Sequence, residues 1–323
     1  VWDIHTEREF MGDTETALGR CTRRDDHLLL RKEQTHLPDA SKVLRRLLND
    51  RVIVRLFRGA YVEASFYGKL QPWEQYDLQA RALGEVSGRV LVGYSAAALW
   101  KLWRYEPTPV QHEIHRRNGG GKRTRSTVRE VSGALPDEDI VGEHVKATTV
   151  PRTLVDLTRL HGFGAGFVAA CSALRQKLVT REDLAAYDVT GMEGLAHWPL
   201  VVEKATGVVE SALEAAFLAQ SVFFGDFTLI PQVSVRGSNG RNYLIDFRVE
   251  GTEEYVETDG RGKYGASASE QEFNLKKEKE RADNLPVRPE RFGWAEVMSM
   301  QAYRRMLDKL GCWHRWDLPR IHW

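Results

Sequence analysis

Residues 242–263 read NYLIDFRVEGTEEYVETDGRGK, and how this stretch pairs with itself decides the fold of the C-terminal part of the chain. From 242 to 249 the side chains alternate. Tyr243, Ile245, Phe247 and Val249 fall on one face and Leu244, Asp246 and Arg248 on the other, the period-two pattern of a strand with one buried face. Gly251 and Thr252 then make a two-residue hairpin loop with Gly at the first central position, as a type II′ turn requires. Residues facing each other across that hairpin have numbers summing to 503, so Asp246 lies opposite Glu257, with Cβ atoms roughly 4.5–5.5 Å apart. Asp259 shares their face. Two facing carboxylates repel unless a proton or a cation lies between them. A divalent ion such as Mg2+, held by one or two carboxylates with waters and a substrate phosphate, is one reason to keep such a pair, and it serves phosphodiester cleavage. A solvent-facing strand pair neutralised by Arg248, Arg261 or Lys263 is the other.

The flanking sequence supplies the partners of this hairpin. Residues 208–223 have the spacing of a helix and set Glu210 and Glu214 one turn apart. Residues 231–236 predict a short strand, closed by the turn Gly237-Ser238-Asn239-Gly240. Downstream, 269–284 is a charged helix with Ser269 as cap and Glu272 three residues later, a capping box. A weak strand carrying Pro286 and Pro289 and a final helix over 294–310 follow. The predicted order is helix, three antiparallel strands, helix, strand, helix.

That order, with an acid on the first helix, an Asp on the second strand and an acid on the third, resembles the PD-(D/E)xK nuclease superfamily. Within it, residues 205–300 look like the very-short-patch-repair-like endonuclease domains, whose pattern runs S-x-x-E, D-F, E-x-D-G and then an E-x-x-R-x-D helix. Here those positions are Ser211 and Glu214, Asp246-Phe247, Glu257-Thr258-Asp259-Gly260, and Glu278, Arg281 and Asp283. The resemblance implies Mg2+ or Mn2+ on Asp246 and Glu257, with Glu214 assisting. The lysine of the superfamily lies two residues after the third-strand acid, where this chain has Asp259. Lys263, or Lys276 or Lys279 from the next helix, is the candidate to position the attacking water and stabilise charge on the phosphate.

The 323 residues suffice for two domains, and 42% hydrophobic residues with nine Trp predict packed cores. No run of 18 apolar residues and no secretory signal is present, which predicts neither a spanning helix nor a membrane partner. Cys21, Cys171 and Cys312 are far apart and form no C-x-x-C pair, so they read as reduced structural thiols of a cytoplasmic protein. The net charge of +1 is uninformative, but its distribution is not. From 101 to 129 eight Lys and Arg stand against two Glu, a net +6, whereas 251–300 carries eight basic and eleven acidic residues, a net −3. A basic middle holding phosphates and an acidic, metal-seeking end cutting near them fits that split.

In the N-terminal region, 39–49 predicts a helix capped by Asp39, with Val43, Leu44, Leu47 and Leu48 on one face and Lys42, Arg45 and Arg46 on the other. Residues 52–57 and 60–62 make a two-stranded ribbon turning at Arg58-Gly59, as a winged helix-turn-helix ends; a helix and hairpin of purely structural role is the alternative. The stretches RLFRGAYV, VLVGYSAAALWKLW and VKATTVPRTLVDLTRL resemble the AbiEi family of antitoxins over residues 35–200. They do so through Ser95, Ala96 and Ala97 and through Thr149, Arg152, Thr153, Leu154, Asp156 and Leu157. That resemblance implies DNA binding. Arg152 and Asp156, four apart on a helix, read as a structural ion pair. Gly119-Gly120-Gly121-Lys122 lacks the Ser or Thr of a P-loop and reads instead as the basic tip of a hairpin between strands near 110–115 and 126–131, suited to a phosphate backbone. His112-Glu113-Ile114-His115 is one residue short of the zinc-protease spacing, and Gly162, Gly164 and Gly166 do not follow a strand.

The expected fold class is α+β. Residues 1–38 are an irregular arm, 39–200 an AbiEi-like DNA-binding region with a winged-helix-like start, and 201–323 a PD-(D/E)xK endonuclease-like domain, with the boundary in the Gly- and Pro-rich stretch 195–207. The expected catalytic set is Glu214, Asp246, Glu257, Asp259 and Lys263. The expected DNA contacts are Lys42, Arg45, Arg46, Arg58, Arg116, Arg117, Lys122, Arg123 and Arg125. The chain is then a metal-dependent DNA endonuclease of phage defence or DNA repair, or alternatively a non-catalytic DNA-binding regulator or antitoxin with a cognate toxin as partner. Self-association is compatible with both.

Overall fold

Three consecutive leucines make the first strand, β1 (Leu28–Leu30), and both of its faces are covered. Leu29 packs with Leu37, Leu44, Leu47 and Ile53, while Leu28 and Leu30 pack with Ala60, Val62, Leu78 and Ala82. In the computed structural model, which describes residues 17–116, 127–259 and 268–312 (for 268–275 the backbone alone), this strand removes 28–30 from the irregular arm expected over 1–38. Helix α1 (Ala40–Asn49) follows, with Asp39 accepting the Lys42 N–H at 3.0 Å and Leu44 and Leu47 turned inward. Strands β2 (Ile53–Phe57) and β3 (Ala60–Glu63) form the expected ribbon, turning at Gly59 with φ +91°, where a β-carbon would be strained. The sheet order is β1-β3-β2, antiparallel throughout.

The rest of this unit begins with helices α2 (Ala64–Tyr67), α3 (Pro72–Ser87) and α4 (Gly93–Leu99). Strands β4 (His112–His115) and β5 (Val128–Val131) occur where two strands were expected, but they pair in parallel, with His112 beside Val128 and His115 beside Val131. A parallel pair cannot be joined by a tight turn, so β4 and β5 are not the two arms of a hairpin; the basic tip expected at 119–122 lies outside the described residues. Alternation along a strand reports which faces it presents and carries no information on direction. Strands β6 (Ile140–Val141) and β7 (Ala147–Thr148) pair antiparallel, and Leu91 bridges Ile114 on one side and Ala147 on the other. Glu113, 1% exposed, anchors this region: it accepts the Tyr94 N–H at 2.9 Å and pairs with Arg129 at 3.2 Å.

Two compact units result, Val1–Lys101 with Glu106–Thr149 and Leu102–Tyr105 with Val150–Trp323. The division therefore falls at 149/150 and not within 195–207. Helices α5 (Val150–His161), α6 (Phe163–Arg175), α7 (Arg181–Ala186) and α8 (Trp198–Lys204) belong to the second unit. Gly207, which suggested a linker, is a packing position: a β-carbon there would come within 2.8 Å of the Arg175 nitrogen. In α5 the buried Asp156 pairs with Arg152 at 3.2 Å and Arg159 at 3.0 Å, as a structural ion pair should. Cys171 in α6 is fully enclosed and its thiol is pushed up to about 12 by burial, which makes it an inert structural thiol.

Helix α9 (Ala212–Phe224) then leads into β8 (Leu229–Arg236), β9 (Asn242–Val249) and β10 (Tyr255–Asp259), followed by α10 (Ala268–Asn284), β11 (Glu290–Gly293), α11 (Trp294–Met298) and α12 (Gln301–Leu310). The sheet order is β11-β10-β9-β8, with β8, β9 and β10 antiparallel and β11 parallel to β10 after the crossover through α10. The helix expected over 294–310 is broken at Met300, φ +63°. Tyr255 faces Arg248 and Val256 faces Phe247, pairs whose numbers sum to the expected 503. The loop is wider than a two-residue turn. It closes with the Thr252 N–H on the Val249 carbonyl at 3.2 Å and Gly251, φ +73°, in third position, so it is not type II′.

Helices α5 and α6 meet at Gly166, where a β-carbon would lie 1.9 Å from Thr158 Oγ1 and 3.1 Å from its Cα. Because backbone as well as side chain is in the way, Gly166→Ala is expected to lower stability by about 1–3 kcal/mol in urea unfolding. An unchanged midpoint would show that the helices separate without cost.

Candidate functional site

Helix α9 is apolar on almost every side, and Phe217 stands between Phe247 of β9 and Phe292 of β11, with ring centroids 6.1 and 5.6 Å away. Three residues earlier on the same face, Glu214 is carried inward with it and is 5% exposed. Ser211 caps the helix by accepting the Glu214 N–H at 3.1 Å. Glu214 Oε2 accepts the Glu210 N–H at 2.8 Å and the Gln232 side-chain amide at 2.9 Å. Burial holds the Glu214 carboxyl above its ordinary range, and the negative charge of Asp246 adds to that, against the opposing pull of the Glu210 N–H.

Asp246 lies on the half-buried face of β9. Its Oδ2 accepts both the backbone N–H of Thr258 at 2.7 Å and the Thr258 hydroxyl at 3.1 Å. The β9–β10 ladder stops at Val256, and the Thr258 N–H turns to this carboxylate rather than to the backbone of β9. Two acids, each held by neutral donors, with the charge of one raising the proton affinity of the other, fit a divalent cation chemically.

Glu257 does not stand bare as expected. Buried to 2% exposure, it gives Oε1 to Arg281 of α10 and Oε2 to Arg291 of β11 at 3.1 Å. Arg281 also donates to the Leu244 carbonyl at 2.6 Å, and Arg291 reaches Glu278 at 3.0 Å and Asp259 at 3.9 Å. The repulsion expected between Asp246 and Glu257 is thus relieved by two guanidinium groups. Among the described residues no three His, Cys, Asp or Glu side chains form a group that could hold a metal, and of the three expected acids Glu257 has both oxygens engaged by arginines. Lys263 lies outside the described residues, and Lys276 and Lys279 are exposed on α10.

Two residues of this site were not expected. Arg291 follows Pro289 in a weak strand, and only the parallel register, which sets it beside Glu257, reveals its partner. Gln232 lies at the level of Asp246, between the pairs Pro231–Phe247 and Val233–Ile245 of β8 and β9, and no motif marks it. Of the expected DNA contacts, Lys42 and Arg45 are exposed on α1, Arg46 lies on the same helix, and Arg58 is exposed at the turn between β2 and β3. Arg116 is partly buried beyond β4, with its N–H on the Val131 carbonyl at 2.7 Å. Arg117, Lys122, Arg123 and Arg125 lie outside the described residues.

Comparison with known proteins identifies no family. No protein-family model and no curated protein matches the sequence. Among solved structures, the RV2827C protein from Mycobacterium tuberculosis is similar at 16% identity and a TM-score of 0.30, over 60% of this chain and 72% of that one. Among the described residues, no helix is long and apolar enough to cross a membrane.

The raised Glu214 carboxyl has a consequence for pH. A folded-state value above the unfolded one means that the native state holds the proton more tightly, so its contribution to stability is complete below the ordinary carboxylate range and is lost as pH rises through the folded value. Denaturant midpoints measured from pH 4 to 8 are expected to fall less steeply for Glu214→Gln than for wild type, and Asp246→Asn should remove part of the same slope. Identical slopes in all three proteins would contradict the assignment.

Proposed function

We propose that the chain is a metal-dependent DNA endonuclease whose second unit hydrolyses phosphodiesters and whose first unit holds DNA. The observation that carries this is that Gln232, at the level of Asp246 in the β8–β9 pair, donates to Glu214, so that the two acids are brought to one end of a helix, three antiparallel strands, helix, strand order. That order and the motif positions they occupy support a PD-(D/E)xK-type arrangement. Asp246 and Glu214 would hold the Mg2+ or Mn2+ ion. Bound there, the ion would supply Lewis-acid activation of water and charge stabilisation at the phosphate.

The residues of the chain do the positioning. Thr258 fixes Asp246 by two hydrogen bonds from one residue, and the Glu210 N–H with Gln232 fixes Glu214. Glu257 anchors Arg281 and Arg291, which place positive charge beside the acids. That charge takes over part of what the superfamily assigns to a lysine, alongside Lys263. In the first unit, Lys42, Arg45 and Arg46 on α1 with Arg58 at the ribbon turn support a winged-helix-like DNA contact. The second reading, a non-catalytic DNA-binding regulator or antitoxin, draws on one observation: both oxygens of Glu257 are already engaged by arginines.

Purified protein is expected to nick supercoiled plasmid in Mg2+ or Mn2+ and not in EDTA, with Asp246→Asn at least about a hundredfold slower. Nicking that persists undiminished in Asp246→Asn would place the chemistry elsewhere, and a wild type inert in both ions would leave the regulator. Independently, Lys42→Glu with Arg45→Glu and Arg46→Glu should reduce the slope of log affinity for duplex DNA against log salt by about 3, near 0.9 for each phosphate no longer neutralised. An unaltered slope would remove α1 from the DNA interface.

A further inference from the structure

Among the non-glycine residues with positive φ, Gln232 is unusual in lying within a strand. Its φ is +53°, although the ladder on either side keeps one register, with Pro231 facing Phe247 and Val233 facing Ile245. No residue is inserted, so this is not a bulge that shifts the pairing. A left-handed backbone is unfavourable for a residue with a β-carbon and persists only where the surroundings compensate for it. The register on either side places Gln232 at the level of Asp246, where the two do not pair, and its side-chain amide ends 2.9 Å from Glu214 Oε2 on the helix. A cross-strand neighbour of Asp246 in ordinary extended backbone would present its side chain to the same side of the sheet as Asp246. The turned backbone is what accompanies the reach to α9 instead.

We infer that Gln232 is the positioning residue of the site: it links the strand that faces Asp246 to the helix that carries Glu214, and so holds the Glu214 carboxylate against Asp246. The amide serves this role because it donates without adding charge. A lysine in its place would neutralise Glu214, and a carboxylate would repel it. This inference rests on the metal-binding reading for its use, but the link itself is independent of that reading.

The test uses the full chain. The side-chain NH2 resonances of Gln232, assigned by their loss in Gln232→Gly, are expected to move when Glu214→Gln replaces the carboxylate acceptor, with no metal present. Gln232→Gly permits the left-handed backbone and deletes the amide. It is therefore expected to remain folded in EDTA, the relieved backbone offsetting part of the lost hydrogen bond, while weakening Mn2+ binding in calorimetric titration by tenfold or more. In a Glu214→Gln background the same change should leave Mn2+ affinity where Glu214→Gln alone puts it. Resonances that ignore Glu214→Gln, or a Gln232→Gly protein that binds Mn2+ as wild type does, would overturn the inference. If the resonances respond while the wild type takes up no Mn2+, the positioning contact stands and the metal-dependent function falls.

Discussion

The burial of Phe217 between Phe247 and Phe292 is the constraint from which the second unit follows. It seats α9 on the apolar face of β9, and through helical spacing it draws Glu214, three residues earlier, under the sheet as well. A carboxylate cannot be buried without compensation, and the compensation here is local: the Ser211 cap sets the helix start, and the Glu210 N–H and Gln232 amide meet one oxygen. The apolar core therefore fixes where the acid sits, and the polar contacts fix how it is oriented.

The same unit treats its acids unequally. Glu257, the most enclosed strand acid, is neutralised by Arg281 and Arg291, and in return it ties α10 and β11 to β10. Asp246 and Glu214 receive only neutral donors, so their charges act on each other. Removing either arginine would leave a buried charge exposed to its neighbour Asp246, whereas removing Asp246 would relieve one. This asymmetry moves the proposed cation from the facing strand pair to the strand–helix pair.

Much of this arrangement was legible in the sequence because it rests on local periodicity. Strand β9 begins and ends where its alternation does, the 503 register holds, and Asp39 caps α1 as its spacing indicates. What was not legible depends on tertiary context. Leu28–Leu30 is covered on both faces and so shows no alternation; the parallel pairing of β4 and β5 is invisible to a pattern without direction. The glycine at 207 reads as a linker until Arg175 is found against it. At the site, Arg281 and Glu257 both stood in motifs but nothing local paired them, and Gln232 has a backbone conformation that its residue type would not suggest.

Binding of a divalent ion by Glu214 and Asp246 is most directly tested by thermal melting of wild type and Asp246→Asn in EDTA and in saturating Mn2+. An ion that binds only the native state adds RT ln(1 + [L]/Kd), about 2.7 kcal/mol at a hundredfold excess over Kd. Wild type should melt several degrees higher in Mn2+. Asp246→Asn should melt at or above wild type in EDTA, because the repulsion with Glu214 is gone, and should not respond to the ion. A wild type with the same melting temperature in both conditions, or an Asp246→Asn protein with an undiminished Mn2+ shift, would contradict metal binding by this pair.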